Sequence, residues 1–260
     1  MYLFFKRTFD LLISLIAIIV FIPFYIVIPI LIAIFIGTPV LIKQKRIGRY
    51  NRIFNLYKFR SMKNDKDEEG NMLSDDKRIT RFGKTLRNSS LDELPQLFNV
   101  LKGDMSIIGP RPKTIEESLF IINTNYIVRH YLRPGLTGLA VIKGRNKLNP
   151  DEAYELDLKY VKKYGFWLDF KIFFSTFIVV FLKKGITSDN YVTFVPHYIF
   201  WEQKGVKTSE QVKEIRQRAV IYLSQNEKWI TPNGKQFFEK LYGNIKYNEA
   251  TSKEEEKNEK

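Results

Sequence analysis

The sequence predicts an α+β fold, mostly helical, with an N-terminal re-entrant membrane helix, amphipathic interfacial helices, a small β-hairpin and a small helical C-terminal extension. Three observations carry that expectation. Residues 11–42 are a stretch of 32 without one formal charge, interrupted by Pro23 and Pro29. Residues 40–46 and 52–62 are rich in β-branched and aromatic side chains on either side of Gly48 and Asn51, the pattern of a β-hairpin. Leu94, Leu97, Phe98 and Leu101 recur at i, i+3, i+4 and i+7, one buried face of a helix.

As one continuous helix, residues 11–42 would run ~48 Å against a hydrocarbon core of ~30 Å. A secretory signal does not fit, because the apolar region is too long and no A-x-A-like cleavage site follows it. Pro23 and Pro29 each remove a backbone donor and bend the helix. Both flanks are basic, with Lys6 and Arg7 before and Lys43, Lys45 and Arg46 after, so the positive-inside tendency places both ends on the cytoplasmic side. A helix–break–helix at Pro23 that dips into one leaflet and returns meets both observations better than a straight span. Residues 43–60 then carry seven basic residues and no acidic one, suited to anionic headgroups beside the membrane. Residues 64–76 are polar and acidic, a surface loop. Lys77, Arg78, Arg81, Lys84 and Arg87 restore positive charge after it.

The central stretch, residues 90–112, reads SLDELPQLFNVLKGDMSIIGPRP and puts Asp92 and Glu93 at the mouth of the periodic helix. Gly103 supplies its stop, and Gly109-Pro110-Arg111-Pro112 cannot continue it. The structural explanation of the acid pair is an S-x-x-E capping box from Ser90 to Glu93, with acids offsetting the helix macrodipole. Pro95 fits a first turn and shifts that cap toward Leu91 or Asp92. The functional explanation draws on arginines. Arg133 opens the loop Arg133-Pro134-Gly135, and Arg145 lies in Gly144-Arg145-Asn146; with Arg87 and Arg111 they make four, three of them in Gly/Pro-rich loops. Guanidinium forks match phosphate oxygens, and glycine lets backbone N–H groups approach an anion. Four such arginines around one carboxylate pair point to a diphosphate pocket. No Walker A or G-x-G-x-x-G cradle is present.

Several other residues read as structural. His130 is a hydrogen-bonding residue rather than a catalyst. Glu155 and Asp157, on a helix predicted over residues 150–163, read as solvated helix charges ahead of a site role, and Asp104 is open between surface and site. Residues 172–182 are uncharged but too short to span a bilayer, so the apolar segment from Phe166 lies in the interface or packs on the core.

Composition narrows the function. Lys and Arg total 42 against 28 Asp and Glu, a net charge of +14, which calls for an anionic partner: nucleic acid, anionic lipid or a phosphorylated substrate. Aromatics at 15%, with 21 Phe, favour membrane contact over a plain nucleic-acid binder. The absence of Cys excludes disulfides, Cys-ligated zinc and thiol chemistry, and two histidines, His130 and His197, argue against a His-rich metal site or a His-centred triad.

The segments KRTFDLLISL, YKFRSM, the central stretch, RHYLRPGLTG, GRN and ELDLKYV, in this order, resemble the small bacterial sugar transferases. These are monotopic phosphoglycosyl transferases that act on polyprenol phosphate, and the similarity runs over roughly residues 5–185. The resemblance implies that Asp92 and Glu93 form the family's catalytic dyad, with Asp92 as nucleophile toward the β-phosphate of a UDP-sugar. A phosphosugar-aspartyl intermediate and UMP result. Polyprenol phosphate, undecaprenyl phosphate in most bacteria, then takes the phosphosugar, the first membrane step of glycoconjugate assembly. It also implies Mg²⁺ at or near Asp92, Glu93 positioning metal or acceptor, and Lys58, Arg87, Arg111, Arg133 and Arg145 contacting diphosphate, uridine or lipid phosphate. The expected place is the cytoplasmic face of the bacterial inner membrane. Two departures stand out: Ile22-Pro23 where the family reads Ser-Pro, and Leu139-Ala140-Val141 where relatives often read Trp-Ala-Gln.

The expected organisation is residues 1–42 as membrane element, 43–185 as catalytic domain, 186–248 as a helical extension and 249–260 as a disordered tail. In the extension, Val212, Ile215, Ala219, Val220 and Leu223 give an amphipathic helix started at Thr208 or Ser209. Pro232-Asn233-Gly234 is a turn, and Phe237, Phe238, Leu241 and Tyr242 form a second apolar face. The extension is expected to dock on the core or on a partner enzyme, such as a downstream glycosyltransferase; a homodimer is the other expected assembly. The competing function is a non-enzymatic membrane-surface scaffold binding anionic lipid through residues 43–60. A nucleic-acid partner is not expected, since no recognition motif accompanies the charge.

Overall fold

The computed structural model describes residues 1–121, 125–144, 148–181 and 197–224, together with Gln236 and Phe238. Helices α1 (Tyr2–Val20) and α2 (Ile22–Phe35) open the chain, bent by 61° across Phe21. The N–H groups of Phe24 and Tyr25 both return to the Phe21 carbonyl, so Pro23 sits in a first turn, where a helix needs no donor. Pro29 stays inside α2 without ending it. Among the described residues no single helix is long and apolar enough to cross a membrane; α1 and α2 pass that test only together, as a bent pair.

The expected hairpin follows, β1 (Leu41–Ile47) antiparallel to β2 (Ile53–Phe59), with Ile42 opposite Lys58 and Arg46 opposite Phe54. Tyr50 and Asn51 turn it at positive φ. Then come α3 (Asp75–Arg78), α4 (Arg81–Asn88), a 3₁₀ turn at Leu91–Glu93 and α5 (Gln96–Lys102). A short parallel pair that the sequence pattern does not predict joins β3 (Ser106–Ile108) to β4 (Gly135–Thr137). Helix α6 (Ile115–Ile121) and a 3₁₀ segment Asn125–Tyr131 lie between those strands. After β4 come α7 (Leu139–Lys143), α8 (Pro150–Lys163) and α9 (Phe166–Phe181). The extension contributes α10 (His197–Gln203) and α11 (Ser209–Ser224).

The main core gathers Phe54 and Leu56 of β2, Leu97 and Val100 of α5, and Ile107 and Ile108 of β3 against α8 and α9. α5 corrects the periodic pattern. Its buried positions are Gln96, Leu97, Asn99 and Val100, while Phe98 is 41% exposed and faces Tyr25 of α2 with ring centroids 5.5 Å apart. The reason is Asn99. Its Oδ1 accepts from the Tyr57 N–H at 3.0 Å and its Nδ2 donates to the Asn55 carbonyl at 2.7 Å, satisfying the free edge of β2 as a third strand would. Gly103 ends α5 at φ 89°, as expected of a left-handed stop.

α1 is tied to this core by charge as well as by packing. Arg7 donates to the Val100 and Leu101 carbonyls at 2.6 and 2.9 Å, capping the end of α5. The buried Asp10 carboxylate accepts from the Ile107 N–H at 2.9 Å and the Ser106 hydroxyl at 3.0 Å. Asp169 of α9 gathers Lys6, Tyr2 and Tyr160. The opposite face of α1 leaves Phe5, Phe9, Leu12 and Ile16 exposed, and α9 leaves a stripe of Phe166, Trp167, Phe170, Phe174 and Phe177. Phe9 meets Phe173 at 6.0 Å between centroids, so these two apolar surfaces adjoin.

In the extension Val212 and Ala219 are buried as expected, but Val220 is 62% exposed and belongs to the solvent side of α11. The predicted turn at Pro232, the face of Phe237, Leu241 and Tyr242, and the C-terminal tail lie outside the described residues.

Candidate active site

Asp92 and Glu93 share one 3₁₀ turn, entered through Ser90 at φ 58° and followed by Pro95, after which α5 begins. Ser90 makes no capping hydrogen bond with its side chain, so the capping-box explanation of the pair does not hold in the folded chain. The turn instead aims both carboxylates at the inner face of the hairpin. Lys58 Nζ bridges them, 3.3 Å from Asp92 Oδ2 and 3.0 Å from Glu93 Oε1. Arg111 Nη2 lies 3.4 Å from the same Glu93 oxygen. Asp92 is only 5% exposed. Burial pushes its carboxyl up from the ordinary value and the neighbouring Glu93 adds to this, while Lys58 and Arg87 pull it back.

Arg87 acts through that field. Its own bonds go to the Ser61 hydroxyl at 2.8 Å and the Met62 sulfur at 3.3 Å. Gly83 explains how it gets there: a Cβ at this position would lie 1.9 Å from the Ser61 carbonyl oxygen, so only glycine lets α4 approach the end of β2 so closely.

The Arg111 loop is held from below. Arg129 donates to the Arg111 carbonyl and pairs with Asp157, its Nε 3.0 Å from Oδ2, with both side chains buried. Asp157 is therefore not the solvated helix charge its sequence position suggests. Glu155, two residues earlier, is exposed as expected. His130 is buried and bonded to Asn51, the structural role expected of it.

The loop glycines also act differently from expectation. The Gly109 N–H donates to the Thr137 carbonyl and the Gly135 N–H to the Pro110 carbonyl, both at 2.9 Å. A Cβ on Gly135 would fall 2.1 Å from Gly109 N. Glycine here lets two backbones interlock, and these two N–H groups are spent on carbonyls rather than offered to an anion.

Arg133 is not brought to the acid pair. Its Nε donates to the Gly103 carbonyl at 2.9 Å, at the far end of α5, where its charged neighbours are Arg49, Arg7 and Asp10. Arg145 lies outside the described residues. Of the seven basic residues in 43–60, Lys58 and Arg46 face inward and Arg60 is buried, donating to the Met62 and Thr38 carbonyls. That run is thus divided between the site and the surface.

The profile of the bacterial sugar transferase family matches residues 1–183. The chain belongs to that family. Among similar proteins, the Bacillus subtilis uncharacterized sugar transferase EpsL is 45% identical over 158 residues, 61% of this chain and 78% of that protein. An Aeromonas hydrophila UDP-N-acetylgalactosamine-undecaprenyl-phosphate N-acetylgalactosaminephosphotransferase is 40% identical over 194 residues, 71% of this chain but 45% of its own length. A Xanthomonas campestris UDP-glucose:undecaprenyl-phosphate glucose-1-phosphate transferase is 40% identical over 174 residues, 60% of this chain and 36% of its own. The chain therefore spans less than half of these two longer relatives.

One residue near the dyad of this bacterial sugar transferase escapes the motif search. Arg46 is half-buried within the electrostatic reach of Glu93 and Arg111, with Nη1 3.9 Å from Glu117 Oε2 and Nη2 3.1 Å from Gln44 Oε1. The signal for it is strand register. Arg46, Gln44 and Lys58 occupy the same face of the hairpin because 46 pairs with 54 and 42 with 58.

Proposed function

We propose that the chain is a phosphoglycosyl transferase that moves a sugar 1-phosphate from a UDP-sugar to polyprenol phosphate at the cytoplasmic face of the bacterial inner membrane. One observation carries the reading: a buried aspartate beside a second carboxylate, bridged by a lysine and approached by an arginine, directly beneath the bent helix pair. Tyr25 of α2 donates to the Leu94 carbonyl at 2.6 Å, two residues from Asp92. The names of the relatives and the family membership support the substrate class.

In the first step an Asp92 carboxylate oxygen forms a bond to the β-phosphorus of the UDP-sugar. The bond from that phosphorus to the bridging oxygen breaks, and UMP leaves with the oxygen and the electron pair. In the second step a phosphate oxygen of the polyprenol phosphate attacks the same phosphorus. Asp92 departs as carboxylate, leaving a diphosphate-linked lipid sugar. Splitting the transfer lets a soluble donor and a lipid acceptor use one site in turn. Lys58 and Arg111 supply positive charge where phosphate oxygens would lie, and positioning plus charge neutralisation is most of what phosphoryl transfer asks of a protein. The exposed apolar surfaces of α1, α2 and α9 would seat the site at headgroup depth.

The donor set also fits Mg²⁺. Asp92 and Glu93 offer hard oxygen ligands side by side, and a lysine ammonium already bridges them, so the pair accepts a cation. Among the described residues no group of three or more acidic or histidine side chains surrounds such an ion. Asp92 and Glu93 would hold it together with substrate phosphate, and when bound it supplies neutralisation of phosphate charge.

Asp92→Asn tests the reading. The variant should release no UMP from a panel of UDP-sugars with Mg²⁺ present, and intact mass should show a phosphosugar adduct on the wild type alone. Substantial turnover by the Asn variant refutes the proposal, and absence of UMP release from the wild type would leave the scaffold reading.

A further inference from the structure

The family match ends at residue 183, yet the chain beyond it is packed against the site's supports. Ala219 of α11 is buried with Ile47, Ile115 and Leu119. Val212 and Trp201 are buried with Phe120, Ile121 and Tyr154. Trp201 Nε1 donates to Asp151 at 2.9 Å in the first turn of α8, and Arg216 pairs with Glu116 at 3.3 Å. Further on, Phe238 is fully buried, with its ring 6.0 Å from Tyr50 and 6.5 Å from His130, the histidine that holds Asn51. The extension thus grips the hairpin at the end of β1 and at its turn.

These contacts lead to the acid pair through few intermediates. Ile47 follows Arg46, and its N–H donates to the Lys113 carbonyl at 3.0 Å, two residues past Arg111. Glu117 of α6 lies 3.9 Å from Arg46 and 3.5 Å from Lys113, and it accepts from the Thr114 N–H at 2.9 Å. α6 has seven residues, too few to hold a helix without tertiary cover, and α11 covers its Ile115 and Leu119. The positions of Arg46 and of the Arg111 loop therefore depend on a surface that α11 closes.

We infer that the extension is a positioning brace: by clamping α6 and the turn end of the hairpin it fixes Arg46 and Arg111 for the donor's diphosphate. The inference rests on the phosphoglycosyl transferase reading above. Its residues touch no substrate; they act through Arg46 and Arg111, where displacements of a fraction of an ångström matter.

Ala219→Glu in the full chain places a carboxylate against Ile47, Ile115 and Leu119 and should undock α11. The expected result is a rise of about tenfold in KM for the UDP-sugar with a smaller change in kcat, as for loss of a supporting shell. Amide exchange should accelerate across α6, β1 and β2 while α4, whose Leu86 packs on α2 away from the extension, keeps wild-type protection, and Ala219→Ser should leave both readouts at wild-type values. Loss of α11 protection with unchanged KM and unchanged hairpin exchange overturns the inference. If Ala219→Glu does not fold, Val212→Ala decides: a smaller KM rise in a folded protein supports the brace, and no rise overturns it. If the wild type releases no UMP from any UDP-sugar, the transferase reading has failed, and hairpin exchange alone then decides whether the extension braces those strands.

Discussion

Lys58 is the place to press the electrostatic argument. Its Nζ bridges Asp92 and Glu93 at 3.3 and 3.0 Å with 20% of the side chain exposed. Lys58→Met keeps an unbranched side chain on the strand and removes the charge together with its hydrogen bonds to both carboxylates. Two adjacent carboxylates would then face each other with Arg111 on Glu93 and the more distant field of Arg87. A hydrogen bond to a charged group contributes about 1.5–3 kcal/mol, and partial exposure argues for counting one such bond rather than two. At 1.4 kcal/mol per factor of ten, kcat/KM for UMP release near neutral pH should fall ~10- to 100-fold. The sign of the pH effect is fixed. Lys58 lowers the Asp92 carboxyl, so its removal lets burial raise that group further, and the acid limb of the rate profile moves to higher pH. The loss should therefore be greater at pH 6 than at pH 8.5. UMP release across that range, with saturating Mg²⁺, is the assay. An unchanged rate, or a uniform drop with the acid limb in place, refutes the account of Lys58 as the counter-charge of the nucleophile.

The two framed arginines should separate cleanly. Arg111→Gln is expected to raise KM for the UDP-sugar about tenfold. Arg133→Gln should leave KM unchanged and cost about 1 kcal/mol of stability through the lost α5 carbonyl cap, read by thermal melts in detergent. Lys113 is buried and pushed down to about 8 from the ordinary 10.5, so the unfolded chain binds more protons between those values and stability rises with pH there. Relative to Lys113→Met, the wild type should gain roughly 1 kcal/mol per pH unit in that window, and parallel melting curves would contradict this. Asp157→Asn leaves the buried Arg129 charge uncompensated and should cost about 3–5 kcal/mol; a melting temperature equal to wild type would show that the pair holds nothing in place.

Local signals made some elements legible. Pro150 in the first turn and Asn149 before it start α8 at the expected residue, with Asn149 and Glu152 forming a reciprocal capping box. The hairpin followed from β-branched runs around a turn. The acid pair, Lys58 and Arg111 converge, as the motifs suggested. What stayed hidden depends on partners distant in sequence. β3 and β4 are three residues each; Ser106, Ile107 and Ile108 are buried alike, so β3 shows no alternation to read. The buried face of α5 includes Gln96 and Asn99, which an apolar count passes over; the burial of Asn99 is offset by hydrogen bonds to β2. Glycine in the Gly109 and Gly135 loops reads equally well as an anion cradle or as backbone contact, and only the tertiary arrangement decides. Asp157 looked solvated because its arginine lies 28 positions upstream.

The contacts of the bent helix pair argue that it is part of the catalytic body rather than a tether. Had α1 and α2 been an anchor on a flexible joint, their polar residues would face water or one another. Instead Arg7 caps α5, Asp10 accepts from β3, and Tyr25 reaches the carbonyl of Leu94 beside the acid pair. Phe98, left exposed by the turn of α5, is covered on one side by Tyr25. Each of these bonds crosses between the apolar pair and the stretch from Leu94 to Ile107 that follows the acid pair. The height of the carboxylates relative to the exposed surface of α1 and α9 is then set by direct bonds, with no linker whose length could vary. On the proposed reading, a lipid phosphate need only sit at the depth those surfaces dictate in order to meet Asp92, so accuracy of position comes from the packing of α1 and α2 on α5 and β3.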